Sequence, residues 1–234
     1  SNSASCPGAV AAIAKELKTM IDLVVWDAFE TVMELWELRS LEPLALVVYA
    51  HLLLGCKDIE GTDIKDGDNL ADIVLKWKAR LVAGGNRLLD ASGDHYREKG
   101  LYGAPTSLEA IRLVCWWSTM CSSHVLLQAD VSGAYLQSRL GGRPVWVVLP
   151  PAFWPDAWRK RGMKQPVLRL RKALYGLQRS GFDWAKKAHK VLSNLGWTIV
   201  PDVVDARYVL REGRSMCIMA LYVDDILAAG PGPM

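Results

Sequence analysis

The sequence lacks paired cysteines, long apolar runs and a secretory leader. Its five cysteines include no C-x-x-C pair and have no histidines at metal-ligand spacing, which argues against zinc and disulfides and for a reducing compartment. The longest apolar run, residues 44–56, contains His51 and is shorter than the roughly 20 residues that a membrane helix needs. No basic region precedes the first apolar residues. We therefore expect a protein that is neither secreted nor membrane-bound.

The charge of the chain is small in total but unevenly distributed. The 234 residues include 28 basic and 25 acidic side chains, and 51% are hydrophobic, which excludes a disordered protein and suits one large domain or two small ones. Residues 1–70 hold 12 acidic and 5 basic residues, whereas residues 151–190 hold 11 basic and 2 acidic ones. This asymmetry indicates a polyanionic partner such as nucleic acid or a nucleotide, although a charge run can also be a solvated face.

Apolar periodicity predicts a mixture of helices and strands. Helical spacing occurs over residues 10–21 and 182–195, and the T-x-x-E pattern from Thr106 to Glu109 predicts a capping box that opens a third helix. Strand patterns occupy residues 44–55, 125–131, 145–149, 167–172, 206–211, 216–222 and 226–229, and residues 57–69 are typical of a loop. The order of these elements predicts an α+β fold with a largely antiparallel sheet.

Two consecutive carboxylates, Asp224 and Asp225, interrupt the apolar run of residues 219–229. Burying a free carboxylate is costly, so the pair must lie at a tight turn, hold a cation, or both. If the two halves of the run form a hairpin, Val223 and Asp224 occupy its turn, and a simple turn role for the aspartates is the alternative. Asp130 ends another apolar strand, and acids at adjacent strand ends suit Mg²⁺. Two such ions about 4 Å apart would support in-line phosphoryl transfer.

The stretch from Tyr222 to Asp225 resembles the Y-x-D-D signature of reverse transcriptases. Four further stretches resemble the copia-type lineage of long-terminal-repeat retrotransposons: GCKDIE at residues 55–60, KARLVAGG at 78–85, QADVSGAYLQ at 128–137 and KALYGLQRSGFDW at 172–184. Together with the region around Trp26, these stretches follow the family's order over nearly the whole chain. The sequence therefore resembles a fragment of a retrotransposon Pol polyprotein.

The resemblance implies an α+β fold: the fingers and palm of a right-hand polymerase, with an antiparallel palm sheet and no thumb. Residues 1–54 would form an N-terminal extension leading into the fingers, residues 55–124 the fingers, and residues 125–234 the palm with its catalytic hairpin. Fingers elements would be interleaved at residues 145–180. Because nine residues follow Asp225, the thumb, connection and ribonuclease H parts are expected to be absent. The expected location is intracellular, in a cytoplasmic particle or the nucleus.

The resemblance also implies the catalytic residues. Asp130, Asp224 and Asp225 would form the acidic triad, in which Asp130, Asp224 and the backbone carbonyl of Val131 bind two Mg²⁺ ions, with Mn²⁺ as a substitute, and Asp225 supports the site. Tyr135 would lie under the deoxyribose and exclude a ribose 2′-hydroxyl. The alternative for Tyr135 is an ordinary aromatic residue packed into the fold.

The nucleotide-binding residues follow from two other motifs. Lys78 and Arg80 match the residues that bind the incoming triphosphate, although two cations on a strand are more often a solvated face. Tyr175 and Gly176 match the loop that packs against the incoming nucleotide and the template.

The basic segment, residues 151–190, is predicted to bind the template backbone. Its cations alternate with apolar residues at residues 167–172 and line one side of the helix over residues 182–195, with Trp158, Tyr175 and Trp184 interleaved. Two glycines, Gly84 and Gly181, depart from the family pattern, and the first removes a phosphate or template contact.

These features predict an RNA-directed DNA polymerase core, a nucleotidyltransferase whose partners are an RNA or DNA template with its primer and deoxynucleoside triphosphates. Without a thumb we expect weak affinity for template and primer. The first alternative is a truncated, non-catalytic retroelement remnant that binds nucleic acid non-specifically. The second is another two-metal nucleotidyltransferase or cyclase with a similar palm.

Overall fold

The computed structural model of this chain describes residues 6–57, 76–99, 101, 106–200 and 207–232. The helices in this part are α1 (Pro7–Asp22), α2 (Leu35–Leu41), α3 (Leu108–Thr119), α4 (Ala134–Gln137), α5 (Asp156–Lys160) and α6 (Ser180–Asn194). The strands are β1 (Met33–Glu34), β2 (Leu46–Lys57), β3 (Lys76–Ala83), β4 (His124–Asp130), β5 (Val145–Val148), β6 (Pro166–Arg169), β7 (Thr198–Ile199), β8 (Arg207–Glu212), β9 (Ser215–Tyr222) and β10 (Asp225–Pro231).

The predicted helices and strands are confirmed to within a few residues. Within the described residues no helix combines the length and the apolar character needed to cross a membrane. The loop predicted at residues 57–69 lies almost entirely outside the described residues.

The chain folds into two compact units. The first unit comprises Ser1–Arg97 and Leu140–Gln178, and the second comprises Glu98–Arg139 and Arg179–Met234. Each unit contains a five-stranded sheet. A mixed fold with antiparallel sheets is therefore confirmed, whereas the fingers and palm boundaries at residues 54 and 124 stay a prediction.

The sheet of the first unit has the strand order β1-β6-β5-β2-β3, in which β2 and β5 are parallel and the other neighbours are antiparallel. Its core is made by α2, β2, β5 and β6, with Leu38, Val47 and Val167 almost fully buried. Helix α1 covers the edge strand β3, where a carboxylate oxygen of Glu16 accepts the Leu81 N–H at 2.9 Å. That contact satisfies a backbone donor that an edge strand would otherwise expose.

The sheet of the second unit is wholly antiparallel, with the order β4-β10-β9-β8-β7. Side chains alternate between the two faces along each strand, and helices pack on both faces. Helix α3 packs on one face, against Ile218, Ala220 and Ala229. On the other face, α4 and α6 supply Ala134 and Trp184, which pack against strand residues that include Met219 and Leu221.

Strand β4 is the edge of this sheet and pairs only with β10 among the described strands. The side chains from Val125 to Asp130 are all exposed. At the start of the strand pair, the Gly232 N–H donates to the Ser123 carbonyl at 2.9 Å.

The predicted capping box at Thr106 is wrong in one respect. Helix α3 begins one residue later, and the side chain of Ser107 accepts the Ala110 N–H at 3.2 Å. Thr106 is buried and its hydroxyl donates to the carbonyl of Leu221 on β9 instead.

Candidate active site

The two consecutive aspartates lie at the turn of a two-residue hairpin. Tyr222 ends β9 and pairs with Asp225, the first residue of β10, so Val223 and Asp224 form the turn. Val223 has a φ of +55°, in the left-handed region. A β-branched residue with positive φ is a genuine outlier, and such strain costs about 1–3 kcal/mol. Surrounding contacts must hold this turn in place.

Asp130 lies directly opposite Asp225 across the β4–β10 pair. Residues opposite each other on antiparallel strands have side chains on the same face, with Cβ atoms about 4.5–5.5 Å apart. Both carboxylates are exposed, and neither has an ion-pair partner among the described residues. Two like charges in this position repel each other, so a cation bound between them would be favourable.

Asp224 is tied to the end of β4 by its backbone. The Val131 N–H donates to the Asp224 carbonyl at 2.8 Å. The structure therefore brings together the four residues predicted for catalysis and metal binding: Asp130 and Asp225 through strand pairing, and Val131 and Asp224 through this bond.

The chemistry of Asp130 and Asp225 fits a divalent cation. Paired carboxylates without a cationic partner supply the hard oxygen ligands that Mg²⁺ prefers. Across the described residues, no group of three or more His, Cys, Asp or Glu side chains is arranged to hold a metal ion. The register pairs Asp130 with Asp225, and Asp224 is the neighbouring residue on the turn.

Tyr135 is half-buried on α4, close to the hairpin turn. Burial raises the pKa of its phenol, and the negative charge of Asp224 and the neighbouring Tyr222 raise the pKa further. Tyr135 also packs against the hydrophobic cluster around Trp184. Tyr135 therefore packs into the fold and also lies close to Asp224.

Two donors hold the hairpin from outside its own strands. The indole N–H of Trp184 on α6 donates to the Val223 carbonyl at 2.6 Å, and the hydroxyl of Thr106 donates to the Leu221 carbonyl. Neither contact was predicted from the sequence. Trp184 lies inside the KALYGLQRSGFDW motif, but a hydrogen bond that spans 39 residues has no local signature.

The predicted triphosphate-binding residues lie in the first unit. Lys78 and Arg80 are exposed on β3, and the guanidinium of Arg80 lies 5.4 Å from the ring centroid of Tyr175. The Ala83 N–H donates to the Tyr175 carbonyl at 2.7 Å. Gly176 has a φ of +88°, and a Cβ there would collide with the Ala83 carbonyl oxygen. The loop at Tyr175 and Gly176 is thus docked against the end of the strand that carries Lys78 and Arg80.

The predicted template groove needs two corrections. Trp158 and Trp184 are 2% and 7% exposed, so they belong to the cores of their units and cannot stack on bases. Strand β6 lies between β1 and β5 and ends at the half-buried Arg169, so Arg171 and Lys172 of the predicted alternating run at residues 167–172 lie beyond the strand.

Several arginines of the basic segment are engaged within the fold. Arg159 donates to backbone carbonyls, Arg171 pairs with Asp27, and Arg179 pairs with Asp183 and Glu98. The exposed cations of the segment include Lys160, Arg161 and Lys164 in the first unit and Lys186 and Lys190 in the second.

Comparison with known proteins identifies the family. The chain is 33% identical over 159 residues to the retrovirus-related Pol polyprotein from transposon RE1 of Arabidopsis thaliana, a match that covers 68% of this chain and 10% of that protein. A second Arabidopsis thaliana protein, the retrovirus-related Pol polyprotein from transposon RE2, is 33% identical over 156 residues, which cover 66% of this chain and 10% of the relative. The matched region is thus about a tenth of the length of these relatives. No solved structure matches the chain.

Residues 57–232 match the family described as reverse transcriptase (RNA-dependent DNA polymerase). This region holds every residue predicted for catalysis and nucleotide binding. It begins after α1, α2 and β1 and includes the second unit's hairpin. The chain therefore belongs to the reverse transcriptase family.

Proposed function

We propose that this chain is the RNA-directed DNA polymerase segment of a copia-type retrotransposon Pol polyprotein. It would join a deoxynucleoside triphosphate to a primer paired with an RNA or DNA template. The observation that carries the proposal is the pairing of Asp225 opposite Asp130, next to a turn in which Asp224 accepts the Val131 N–H.

Asp130, Asp224 and the Val131 carbonyl would hold the divalent ions, and Asp225 would add negative charge beside them. When bound, two Mg²⁺ ions would favour ionisation of the primer 3′-hydroxyl and neutralise the charge that develops on the diphosphate leaving group. The protein's own contribution is to place its carboxylates at the ends of adjacent strands, where they are exposed to an incoming substrate.

Tyr135 would distinguish deoxyribose from ribose. Burial and the nearby negative charge of Asp224 raise the pKa of its phenol, so the hydroxyl stays protonated to a higher pH than that of a free tyrosine. The ring packs against the hydrophobic cluster around Trp184, so a 2′-hydroxyl that reached it would meet a packed side chain.

Lys78 and Arg80 would bind triphosphate oxygens, as the resemblance to reverse transcriptases implies. A guanidinium placed over the Tyr175 ring is oriented by that contact and keeps its donors available for phosphate. The glycine at position 176 lets the loop approach the end of β3 closely, which fixes the ring beneath the guanidinium. Exposed lysines, rather than the buried tryptophans, would supply the sequence-independent attraction to the template.

The proposal is tested by thermal unfolding with Mg²⁺ and dTTP, followed by primer extension on poly(rA). Ligand at about 100 times its Kd stabilises the folded state by about 2.7 kcal/mol, so a clear rise in Tm is expected. Asp224→Asn should abolish this rise and the extension. The matched control Asp156→Asn removes a carboxylate that is 90% exposed on α5 and should leave both unchanged.

Each outcome separates the candidate functions. Equal responses of the wild type and Asp224→Asn would remove Asp224 from the site. No stabilisation by any nucleotide would favour the non-catalytic remnant. Equal stabilisation by dTTP and UTP would remove the discrimination assigned to Tyr135, and Tyr135→Val is expected to admit ribonucleotides.

A further inference from the structure

The turn that presents the catalytic carboxylates is strained and cannot owe its conformation to local preference. Val223 has a φ of +55°, which a β-branched residue rarely adopts. A strained turn persists only where its surroundings over-determine it. The contacts that hold Val223 are therefore part of how the site is built.

Those contacts fix both peptide groups around Asp224. The peptide that joins Val223 to Asp224 is planar, so the indole N–H of Trp184, which donates to the Val223 carbonyl at 2.6 Å, fixes the orientation of the whole group. The next peptide is fixed by the Val131 N–H, which donates to the Asp224 carbonyl at 2.8 Å. With both flanking planes held, the direction in which the Asp224 side chain leaves the backbone is set.

The helix that carries Trp184 is itself anchored at its N-terminal end and near its middle. Arg179, just before α6, pairs with Asp183 in the first turn, with nitrogen–oxygen distances of 2.9 and 3.1 Å, and with Glu98. Further along, the ammonium of Lys187 donates to the Gln137 carbonyl at the end of α4 at 2.7 Å. The indole thus projects from a fixed support rather than from a mobile one.

We propose that Trp184 is a positioning residue for Asp224: its indole N–H holds the strained turn so that Asp224 stands beside the pair formed by Asp130 and Asp225. The indole is 7% exposed and packs among residues such as Ala188 and Met219, so it does not contact nucleic acid. Its importance to catalysis rests on the proposed function, whereas its hold on the turn does not.

The test compares Trp184→Phe with Trp146→Phe. Trp146 is similarly buried at 5% exposure, but its indole nitrogen has no hydrogen-bond partner in the described part of the chain. Both changes therefore remove similar packing, and only Trp184→Phe removes a hydrogen bond. Replacement of Trp184 by 3-benzothienylalanine keeps the bicyclic shape without the N–H, and serves where Trp184→Phe fails to fold.

The first readout is hydrogen exchange of the Val131 amide in the metal-free protein, measured by NMR. Loss of the indole bond should speed exchange about five- to tenfold, the factor that corresponds to the net contribution of a typical hydrogen bond. Trp146→Phe should leave it unchanged. Unchanged exchange in the benzothienylalanine variant would overturn the proposal.

The second readout is the Mg²⁺ concentration needed for dTTP to raise the Tm. It should increase about five- to tenfold without the indole N–H and stay constant in Trp146→Phe. Faster Val131 exchange with an unchanged Mg²⁺ requirement would overturn the positioning of Asp224. Absence of any dTTP effect in the wild type would overturn the proposed function, and the exchange result would still decide whether Trp184 holds the turn.

Discussion

The pairing of Asp130 with Asp225 makes a quantitative prediction about stability without metal. The two carboxylates face each other on adjacent strands, and neither has a cationic partner among the described side chains. At about 5 Å in water the repulsion of two unit charges is about 0.8 kcal/mol before screening, and measured cross-strand pairs span roughly 0.2–1 kcal/mol. Asp130→Asn removes that repulsion while keeping the size and shape of the side chain.

The variant is therefore expected to unfold with a free energy about 0.5 kcal/mol higher than the wild type in low-salt buffer with EDTA. For a chain of this length, that corresponds to a rise in Tm of about 1–2 °C. At about 1 M salt, where the Debye length is about 3 Å, the difference should disappear. Saturating Mg²⁺ should reverse the order, because the wild type gains binding energy that the variant cannot.

Differential scanning calorimetry of both proteins, at low and high salt and with and without Mg²⁺, measures these differences in Tm. Asp156→Asn serves as the control, because that carboxylate lies on a helix with no acidic residue opposite it. A lower metal-free Tm for Asp130→Asn at low salt would refute the reasoning, since it would mean that the carboxylate is favourably paired in the fold.

Three further predictions follow from single contacts. Tyr135→Phe should reduce the loss of stability at alkaline pH, which urea unfolding measured as a function of pH would show. The pKa of Tyr135 is raised in the folded state. Its contribution to the free energy of unfolding is therefore complete below the unfolded-state pKa of 10.0 and is lost as the pH rises through the folded-state pKa. Arg179→Met should lower the free energy of unfolding by about 3 kcal/mol in urea titrations, because Asp183, which is 7% exposed, would lose its ion pair with Arg179. Arg179→Met combined with Asp183→Leu should recover part of that free energy. By the same assay, Gly176→Ala should lower the free energy of unfolding clearly more than Gly162→Ala. Both glycines have positive φ, but of the two only a Cβ at position 176 would collide with a neighbouring backbone. Equal losses would contradict the docked loop.

Local sequence patterns predict the secondary-structure elements of the candidate site better than they predict the register between its strands. The strand before Asp130 and the hairpin around Asp224 are confirmed, because apolar runs with polar ends are local signals. The register that places Asp130 opposite Asp225 could not be read from the sequence. The apolar residues Val125, Leu126 and Leu127 of β4 are consecutive rather than alternating, so they do not indicate which face is buried.

Long-range polar contacts were the least predictable part. Trp184 in a basic, aromatic segment indicated a surface that stacks on bases, but its ring is buried and its N–H serves the hairpin. Thr106 matched a capping pattern, yet its hydroxyl serves β9 while Ser107 caps the helix. In both cases the side chain donates a hydrogen bond to a carbonyl that is distant in sequence, and the neighbouring residues do not indicate that partner.

Because β4 is an edge strand, the number of residues in β4 and β10 matters more than which residues they are. Its side chains from Val125 to Asp130 are exposed, so many substitutions there would leave the core intact. Its pairing with β10 is bracketed by backbone bonds from Gly232 to Ser123 and from Val131 to Asp224. A single-codon insertion or deletion within β4 or β10 would shift the register by one residue and place Asp130 and Asp225 on opposite faces of the sheet. In this segment, therefore, a change of three nucleotides in length would be far more damaging than most changes of sequence.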